Sequence, residues 1–451
     1  MNNDYLIQKN PLQALIVFSL PMIIGNLFQQ TYTMADSAIV GRFVSEQALA
    51  AVGASYSLTN VFICVAIGGG IGASVIVSRH FGAKEYGKMK TAVYTAFLAF
   101  LALSVVLGGV GLLFGKPIML LLNTPADVLD MSVQYLNIYF LGLPFLFMYN
   151  VISSMFNALG KSKIPLFFLI FSSLFNIVLD LFMVIRLGLG VAGVAWATLI
   201  AQGLSAILSF AVFLHMLKSF ECGSASLFKT PELVRMGRIA LPSILQQSTV
   251  SIGMMLVQSV VNSFGSQALA GFSAAMRVES ICVVPMAAIG NAMSSYVAQN
   301  IGAGRRERVQ QGYRAANAMV IFFAAVICLV LELFNRGIIG GFLGSDGTPV
   351  AFTTGQGYLQ FMGWFFCLIG FKMTVDGLLR GAGDMKMFTV ANLVNLFIRV
   401  ALSVTLAPRL GIAVVWCAVP VGWFANWVIS LAQYRTGKWK RLATATVGAE
   451  D

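Results

Sequence analysis

Long apolar runs recur along almost the whole chain, and they restrict its fold more than any other feature of the sequence. Each run holds roughly 20 apolar residues, enough for a helix to cross a hydrocarbon layer about 30 Å thick. Lipid offers no partners for backbone N–H and C=O groups, so each run must form a helix, and the short alternating segments of a barrel are absent. We predict an all-α membrane protein with twelve transmembrane helices at residues 12–40, 48–77, 91–113, 131–155, 165–187, 192–217, 236–262, 268–298, 313–333, 358–379, 388–407 and 412–434.

Short segments of the first half of the chain recur in the second half at a nearly constant spacing. Pro21 recurs as Pro242 within the same Leu-Pro pair, and the Gln-Ala-Leu-Ala segment at residues 47–50 recurs at residues 267–270. Six predicted helices fall in each half, and an even number starts both halves on the same side of the membrane. The repeat is therefore parallel, with a pseudo-two-fold axis along the membrane normal, which is typical of transporters whose halves rock around a central site.

The repeat predicts the limits of two lobes. We place an amino-terminal six-helix lobe at residues 1–217 and a carboxy-terminal six-helix lobe at residues 236–435. A cytoplasmic linker at residues 218–235 mixes charged residues with Ser, Gly and Pro and forms the one clear break in composition. A polar cytoplasmic tail at residues 436–451 follows the second lobe.

Basic residues outnumber acidic ones, 29 to 17, and they are unevenly placed. With the amino terminus in the cytoplasm, 21 basic residues fall in cytoplasmic segments and 5 in outer segments. This bias follows the positive-inside rule, and we predict a multi-pass protein of the plasma (inner) membrane with both termini cytoplasmic. The rule also explains the basic cluster at residues 305–308, so no nucleic-acid partner is expected. Residues 1–10 are polar and precede a full-length span, so no cleavable signal peptide is expected.

The sequence contains none of the patterns that would indicate an enzyme. Its six cysteines are scattered without a Cys-x-x-Cys pair, and its two histidines, His80 and His215, belong to no metal motif. A nucleotide-binding Walker A loop and a zinc-protease motif are also absent. We therefore expect no catalytic residues and no cofactor, and an intramembrane enzyme is strongly disfavoured.

Two acidic residues, Asp36 and Asp180, lie inside predicted spans, whereas most other acids lie in loops. A charge at bilayer depth costs at least about 2.5–3.5 kcal/mol, so we expect both carboxylates to face a protein-lined site. Asn176 lies one helical turn before Asp180, and Thr198 in the sixth span lies at a similar depth. This set of oxygens suits Na⁺ or a proton, because two adjacent carboxylates disfavour double ionisation. The alternative is a structural pair of acids, satisfied by partners on packed helices.

Four further charged residues, Arg277, Glu279, Lys372 and Arg399, lie inside spans of the second half. Unpaired buried charges are costly, so we predict that Glu279 contacts Arg399 or Arg277. Residues two positions apart on a helix do not face each other, which favours the pair between helices. This carboxy-lobe polar network has two interpretations, a structural clamp and a polar lining for an anionic group of a substrate.

Several motifs, taken in order, resemble the multidrug and toxic compound extrusion (MATE) family, and most closely its DinF-like branch. They are Leu20-Pro21 followed by Asp36-Ser37 and Gly41, Gly-x-Gly-Ala at 70–73, Gly-Ala at 82–83, Ala-Leu-Gly-Lys-Ser-Lys at 158–163, and Asn176 with Asp180. The resemblance covers about residues 10–435. It implies twelve helices in two lobes and cation-coupled export of organic cations and drugs.

The resemblance also implies roles for particular residues. The cation-coupling site maps onto Asp36, Asn176, Asp180 and Thr198, a helix kink maps onto Pro21, and the substrate cavity maps onto Tyr135 and Asn150. Gln29 is a further candidate for the cavity, because it lies two turns before Asp36 on the same helix face.

One departure from the family bears on where coupling occurs. Relatives that resemble the NorM branch carry acids in the seventh and tenth helices, but the seventh span here has none. The tenth span has Asp376, which lies near the inner end and only four residues before Arg380. We therefore expect coupling in the amino-terminal lobe alone.

These observations together predict an antiporter that exports lipophilic, often cationic, organic compounds by alternating access, coupled to H⁺ or Na⁺. The expected partners are small organic substrates and membrane lipid, and a monomer is sufficient because the duplication already supplies two lobes. The alternative is a lipid-linked oligosaccharide flippase of the same superfamily, which the twelve spans and the paired acids disfavour. A binding protein or receptor without transport is a third hypothesis.

Overall fold

The computed structural model describes residues 4–222, 224–344 and 347–440, and nearly all of them are helical. The helices are α1 (Tyr5–Gln8), α2 (Pro11–Phe43), α3 (Glu46–Gly82), α4 (Tyr86–Leu121), α5 (Ala126–Ala158), α6 (Lys163–Leu181), α7 (Gly190–Lys218), α8 (Thr230–Asn262), α9 (Ser266–Gly302), α10 (Arg306–Leu343), α11 (Pro349–Gly363), α12 (Phe366–Ala382), α13 (Met385–Leu410) and α14 (Ala413–Arg435). No β-strand occurs within these described ranges.

The helices account for all twelve predicted spans. In the described part of the chain, eleven helices are long and apolar enough to cross a membrane, and the pair α11 and α12 together forms a twelfth span. The predicted all-α membrane fold is confirmed. The tenth span differs from the continuous helix expected at residues 358–379, because α11 and α12 meet at an angle of 54° around Trp364 and Phe365.

Contacts divide the chain into two compact units. The amino unit is Ile24–Ile244, and the carboxy unit consists of the residues before Ile24 and from Leu245 onwards. Both changes of unit fall inside helices, two residues after Pro21 in α2 and two residues after Pro242 in α8. The lobe limits expected from the sequence stay a prediction, and residues 441–451 of the expected tail lie outside the described residues.

Small residues let helices within each unit approach closely. In the amino unit, a Cβ on Gly70 of α3 would lie 2.6 Å from the Ser154 hydroxyl of α5. In the carboxy unit, a Cβ on Gly377 of α12 would overlap the carbonyl group of Gly290 on α9. Close backbone contact of this kind stabilises helix pairs in lipid, where apolar side chains gain little from leaving a medium that is itself apolar.

The short helix α1 is fixed to the carboxy unit through its last carbonyl groups. Leu6 and Ile7 are buried, and the amide of Asn300 donates to the Leu6 carbonyl at 3.1 Å. Arg305 donates to the Ile7 carbonyl at 2.9 Å, and Arg308 donates to the carbonyls of Leu6 and Lys9. Since the final carbonyls of a helix have no partners within it, these donors complete the end of α1.

Candidate cation site

The amino unit assembles the four predicted coupling residues from three helices. α6 ends one residue after Asp180 and continues as a π-helical turn at Phe182–Arg186. Gly188 and Gly190 have φ angles of 64° and 57°, and this left-handed backbone turns the chain into α7. The short connection makes α6 and α7 neighbours and brings Thr198 beside Asn176.

The carboxyl groups of Asp36 and Asp180 lie within hydrogen-bonding reach of each other. Asp180 is fully buried and Asp36 is half-buried. The Oδ1 atoms of both residues accept no hydrogen bond from any donor in the described part of the chain. Two carboxylates this close in apolar surroundings cannot both stay charged and unbridged, so the pair needs a shared proton or a bound cation.

The side-chain amide of Asn176 links this pair to Tyr32 and Thr198. Its nitrogen lies against the Tyr32 hydroxyl and donates to Oδ2 of Asp180 at 3.0 Å, and its oxygen accepts from the Thr198 backbone N–H at 3.1 Å. These contacts satisfy both ends of the amide and leave Oδ1 of Asp180 without a donor in the described part of the chain.

Tyr32 belongs to the site, although the sequence analysis did not single it out. Its hydroxyl contacts Asn176, and it interacts electrostatically with both Asp36 and Asp180. A sequence signal did exist, because Tyr32 lies four residues before Asp36 and so shares its helix face. Neutral tyrosines are common in membrane helices, so the presence of Tyr32 in α2 did not by itself indicate a role in the site.

A narrow cleft within the amino unit lies next to this site. Thr198 and the predicted cavity residue Tyr135 both line it, with Tyr139 and Gln202 among the other lining residues. The rings of Tyr135 and Tyr139 are stacked with centroids 6.5 Å apart. Aromatic faces next to carboxylates suit an organic cation.

The other two candidate cavity residues do not line this cleft. Gln29 is exposed, and its backbone carbonyl accepts from the Thr33 hydroxyl. The side chain of Asn150 donates to the carbonyl of Leu146 in its own helix at 2.8 Å. Their role in substrate binding therefore stays a prediction from spacing and resemblance.

The charged residues of the carboxy unit are arranged differently from the expected network. Glu279 is buried and hydrogen-bonds to the Tyr358 hydroxyl, a partner that the sequence analysis missed. Arg399 interacts with Glu279 electrostatically without a direct hydrogen bond. Arg277 is exposed rather than buried, because a residue two positions before Glu279 points away from it.

Lys372 forms a buried ion pair in the carboxy unit. Its ammonium lies 3.1 Å from Oδ2 of Asp376, one turn along α12, and 3.0 Å from Oδ1 of Asn392. The amide of Asn392 donates to the same carboxylate at 3.3 Å, and the Ser430 hydroxyl donates to its other oxygen at 2.8 Å. All four residues are buried.

Comparison with known proteins agrees with this architecture. The family model MatE matches the chain twice, at residues 21–182 and 242–405, which reproduces the internal repeat. The probable multidrug resistance protein YpnP of Bacillus subtilis is 30% identical over 97% of this chain and 98% of its own length. A FAD transporter of Shewanella oneidensis is 23% identical over 72% of this chain and 73% of its own length.

Solved structures show the same fold. An outward-facing multidrug resistance MATE family transporter superimposes with a TM-score of 0.89 at 22% identity, over 98% of this chain and 99% of its own. The resemblance inferred from the motifs is confirmed, and the chain is a membrane transporter rather than an enzyme. Two matches to one family model, one in each half, together with a relative aligned almost end to end, establish that the chain belongs to the MatE family of multidrug efflux transporters.

Proposed function

We propose that this protein exports lipophilic, often cationic, organic compounds in exchange for H⁺ or Na⁺ bound between Asp36 and Asp180. The observation that carries the proposal is the closeness of these two carboxyl groups, each with an oxygen that accepts no hydrogen bond in the described part of the chain. A structural pair of acids would have its oxygens satisfied by donors, as Asp376 does in the carboxy unit. The names of the relatives support drug export as the class of transport.

The coupling follows from competition for one negative charge. When the pair holds no ion, its charge attracts an organic cation in the cleft lined by Tyr135 and Thr198. When H⁺ or Na⁺ binds from outside, the charge is neutralised and the attraction is lost. The drug then leaves the cleft.

The conformational part of the cycle is assigned to α2. This helix carries Asp36 and Tyr32, and Pro21 in the same helix cannot donate a backbone hydrogen bond to the preceding turn. Ion binding moves Asp36 relative to Asp180, and we propose that α2 bends near Pro21 in response. Alternating access then turns the site, with the ion bound and the drug released, to the cytoplasmic side, where the ion dissociates.

The available driving force is sufficient for export. When one ion enters for each uncharged drug molecule that leaves, one elementary charge moves across the membrane, and 100 mV supplies about 2.3 kcal/mol, which supports a drug gradient of roughly fifty-fold. Exchange of one ion for a monovalent organic cation moves no net charge, so the concentration gradient of the ion alone drives it. We further propose a plasma-membrane location with both termini cytoplasmic, supported by the 21-to-5 bias of basic residues, and a functional monomer.

The test is drug counterflow in proteoliposomes at fixed pH, with and without a sodium gradient, followed by the same assay under a proton gradient. Wild-type protein should respond to one of these gradients, and Asp36→Asn should lose the response. Asp130→Asn is the matched control, because Asp130 is an exposed acid on α5. Drug export by Asp36→Asn that still follows the ion gradient would overturn the assignment.

A further inference from the structure

The carboxy unit contains a second set of oxygens of the kinds that bind a cation. Asp376 contributes a carboxylate, Asn392 an amide oxygen and Ser430 a hydroxyl group, and the three are joined by hydrogen bonds. These are the same chemical groups as in the amino unit, where Asp180, Asn176 and Thr198 lie together. Hard cations favour such oxygens.

This second set already holds a positive charge that belongs to the chain. The Lys372 ammonium contacts Oδ2 of Asp376 at 3.1 Å and Oδ1 of Asn392 at 3.0 Å. The side chains of Lys372 and Asp376 are only 4% and 3% exposed. Because the two residues are one turn apart on α12, the ammonium is held beside the carboxylate by the helix itself.

The carboxylate oxygens of Asp376 have donors, whereas those of Asp36 and Asp180 do not all have them within the described chain. Oδ1 of Asp376 accepts from Ser430, and Oδ2 accepts from both Lys372 and Asn392. The Oδ1 atoms of Asp36 and Asp180 have no such donors in the described residues. A carboxylate whose charge is already balanced by an adjacent ammonium attracts an ion from solution far less than an unpaired one does.

We propose that Lys372 is a resident cation that closes a latent cation site at Asp376, so that the transporter exchanges a single coupling ion for each substrate. This inference rests on the proposed function only for the single-ion stoichiometry. The closure of the Asp376 site stands on the contacts of the carboxy unit. Lys372 is thus a residue that determines how many ions are coupled, without contacting the substrate.

The closure is tested with a lipophilic carbodiimide, which modifies buried carboxyl groups that carry a proton. Labelling is located by mass spectrometry of peptides from purified full-length protein in lipid nanodiscs. In wild-type protein, Asp376 should remain unlabelled because it is paired as a carboxylate. In Lys372→Met, labelling at Asp376 should increase at least about tenfold, because an unpaired buried carboxylate takes up a proton. Lys438→Met is the control, since Lys438 is exposed.

The outcomes separate the inference from the proposed function. Equal labelling of Asp376 in wild type and Lys372→Met, or none in either, would overturn the role of Lys372. Labelling at Asp36 or Asp180, read from their own peptides in the same sample, reports on the shared proton of the amino unit. Its absence at low pH would count against the proposed function alone.

A second variant covers the case in which Lys372→Met does not fold. Lys372→Met combined with Asp376→Asn removes both charges together and leaves no buried ion unpaired. The ratio of ions to drug molecules, measured with an uncharged drug from the membrane potential at which export stops, should equal the wild-type ratio of one. A changed ratio would show that Asp376 binds a coupling ion and would overturn the proposal.

Discussion

The two units bury carboxylates in opposite ways. In the amino unit, Asp36 and Asp180 lie close together, and among the described residues no basic side chain is paired with either of them. In the carboxy unit, Asp376 lies against Lys372, and Glu279 is bonded to Tyr358 with Arg399 in electrostatic range. Repeated halves of one chain therefore differ in whether their acids are already neutralised.

This difference shows that the function of a buried carboxylate is indicated by the group that neutralises it rather than by how deeply the carboxylate is buried. Desolvation penalises every carboxylate in the bilayer, and a fixed cation or a donor removes that penalty permanently. A mobile ion removes it only while it is bound, so the penalty returns when the ion leaves. Only the second arrangement can link ion binding to a change of shape.

The largest expected effect is on ion-coupled drug export, which should depend on the acids of the amino unit and not on Asp376. Asp180→Asn should reduce the roughly fifty-fold gradient of an uncharged drug that one charge supports at 100 mV to none, because the ion loses one of its two carboxylates. Lys372→Met combined with Asp376→Asn, which removes both partners of the buried ion pair, should leave the response to the ion gradient intact. Both are measured by drug export from proteoliposomes under an imposed potential, and loss of coupling in the double variant would contradict the difference between the two units.

The next effect concerns stability and is confined to the carboxy unit. Lys372→Met should lower the free energy of unfolding by about 3–5 kcal/mol, because Asp376 loses its ion-pair partner and must take up a proton to stay buried. Removing an exposed charge in Lys438→Met should change stability by no more than about 0.5 kcal/mol. Denaturant unfolding in detergent micelles measures both, and similar values for the two variants would contradict the buried pair.

A smaller effect compares two tyrosines. Tyr358→Phe should cost about 1–3 kcal/mol, because the buried carboxyl group of Glu279 loses its hydrogen bond. Tyr135→Phe in the amino unit should be within about 0.5 kcal/mol of wild type, since its hydroxyl makes no hydrogen bond in the described residues. The same unfolding assay decides, and an equal cost for both would remove the special role of Tyr358.

The smallest effect compares the two hydroxyl groups near acids. Thr198→Val should weaken apparent ion affinity by about 1 kcal/mol, or roughly fivefold, because the site loses a hydroxyl group that lies beside Asn176 and Tyr32. Ser430→Ala should alter stability but leave ion affinity unchanged, since Asp376 binds no ion. Titration of transport against ion concentration distinguishes them, and equal shifts would favour ion binding in both units.

Much of the fold could be predicted from the sequence, because lipid allows few alternatives for an apolar run. The break between α11 and α12 could not be predicted. The helix α11 begins within residues 349–357, and these residues do not extend an obvious apolar run. Their helical start depends on burial against other helices, and Thr354 and Gly355 are both buried. Tertiary packing of this kind leaves little trace in hydropathy.

The candidate site was predicted in part for a similar reason. Charged residues inside spans are conspicuous, so Asp36 and Asp180 could be found directly. Neutral partners such as Tyr32 and Tyr358 are ordinary in membrane helices and gain meaning only from their neighbours. The spacing of Asp376 drew attention to Arg380, four residues on, yet its ion-pair partner is Lys372, four residues back. Arg380 instead donates to Asn291 on α9.

The docking of α1 has a practical consequence for studies of membrane orientation. Arg305 and Arg308 belong to the basic cluster that signals topology, and the same two side chains hold the amino terminus in place. Replacing them would both weaken the topology signal and remove the contacts that hold α1. A change of orientation in such a variant could then be due to either loss. Arg306 and Arg314 are exposed neighbours of these residues. Substituting them would change the charge on this side of the membrane while the contacts of Arg305 and Arg308 to α1 remain.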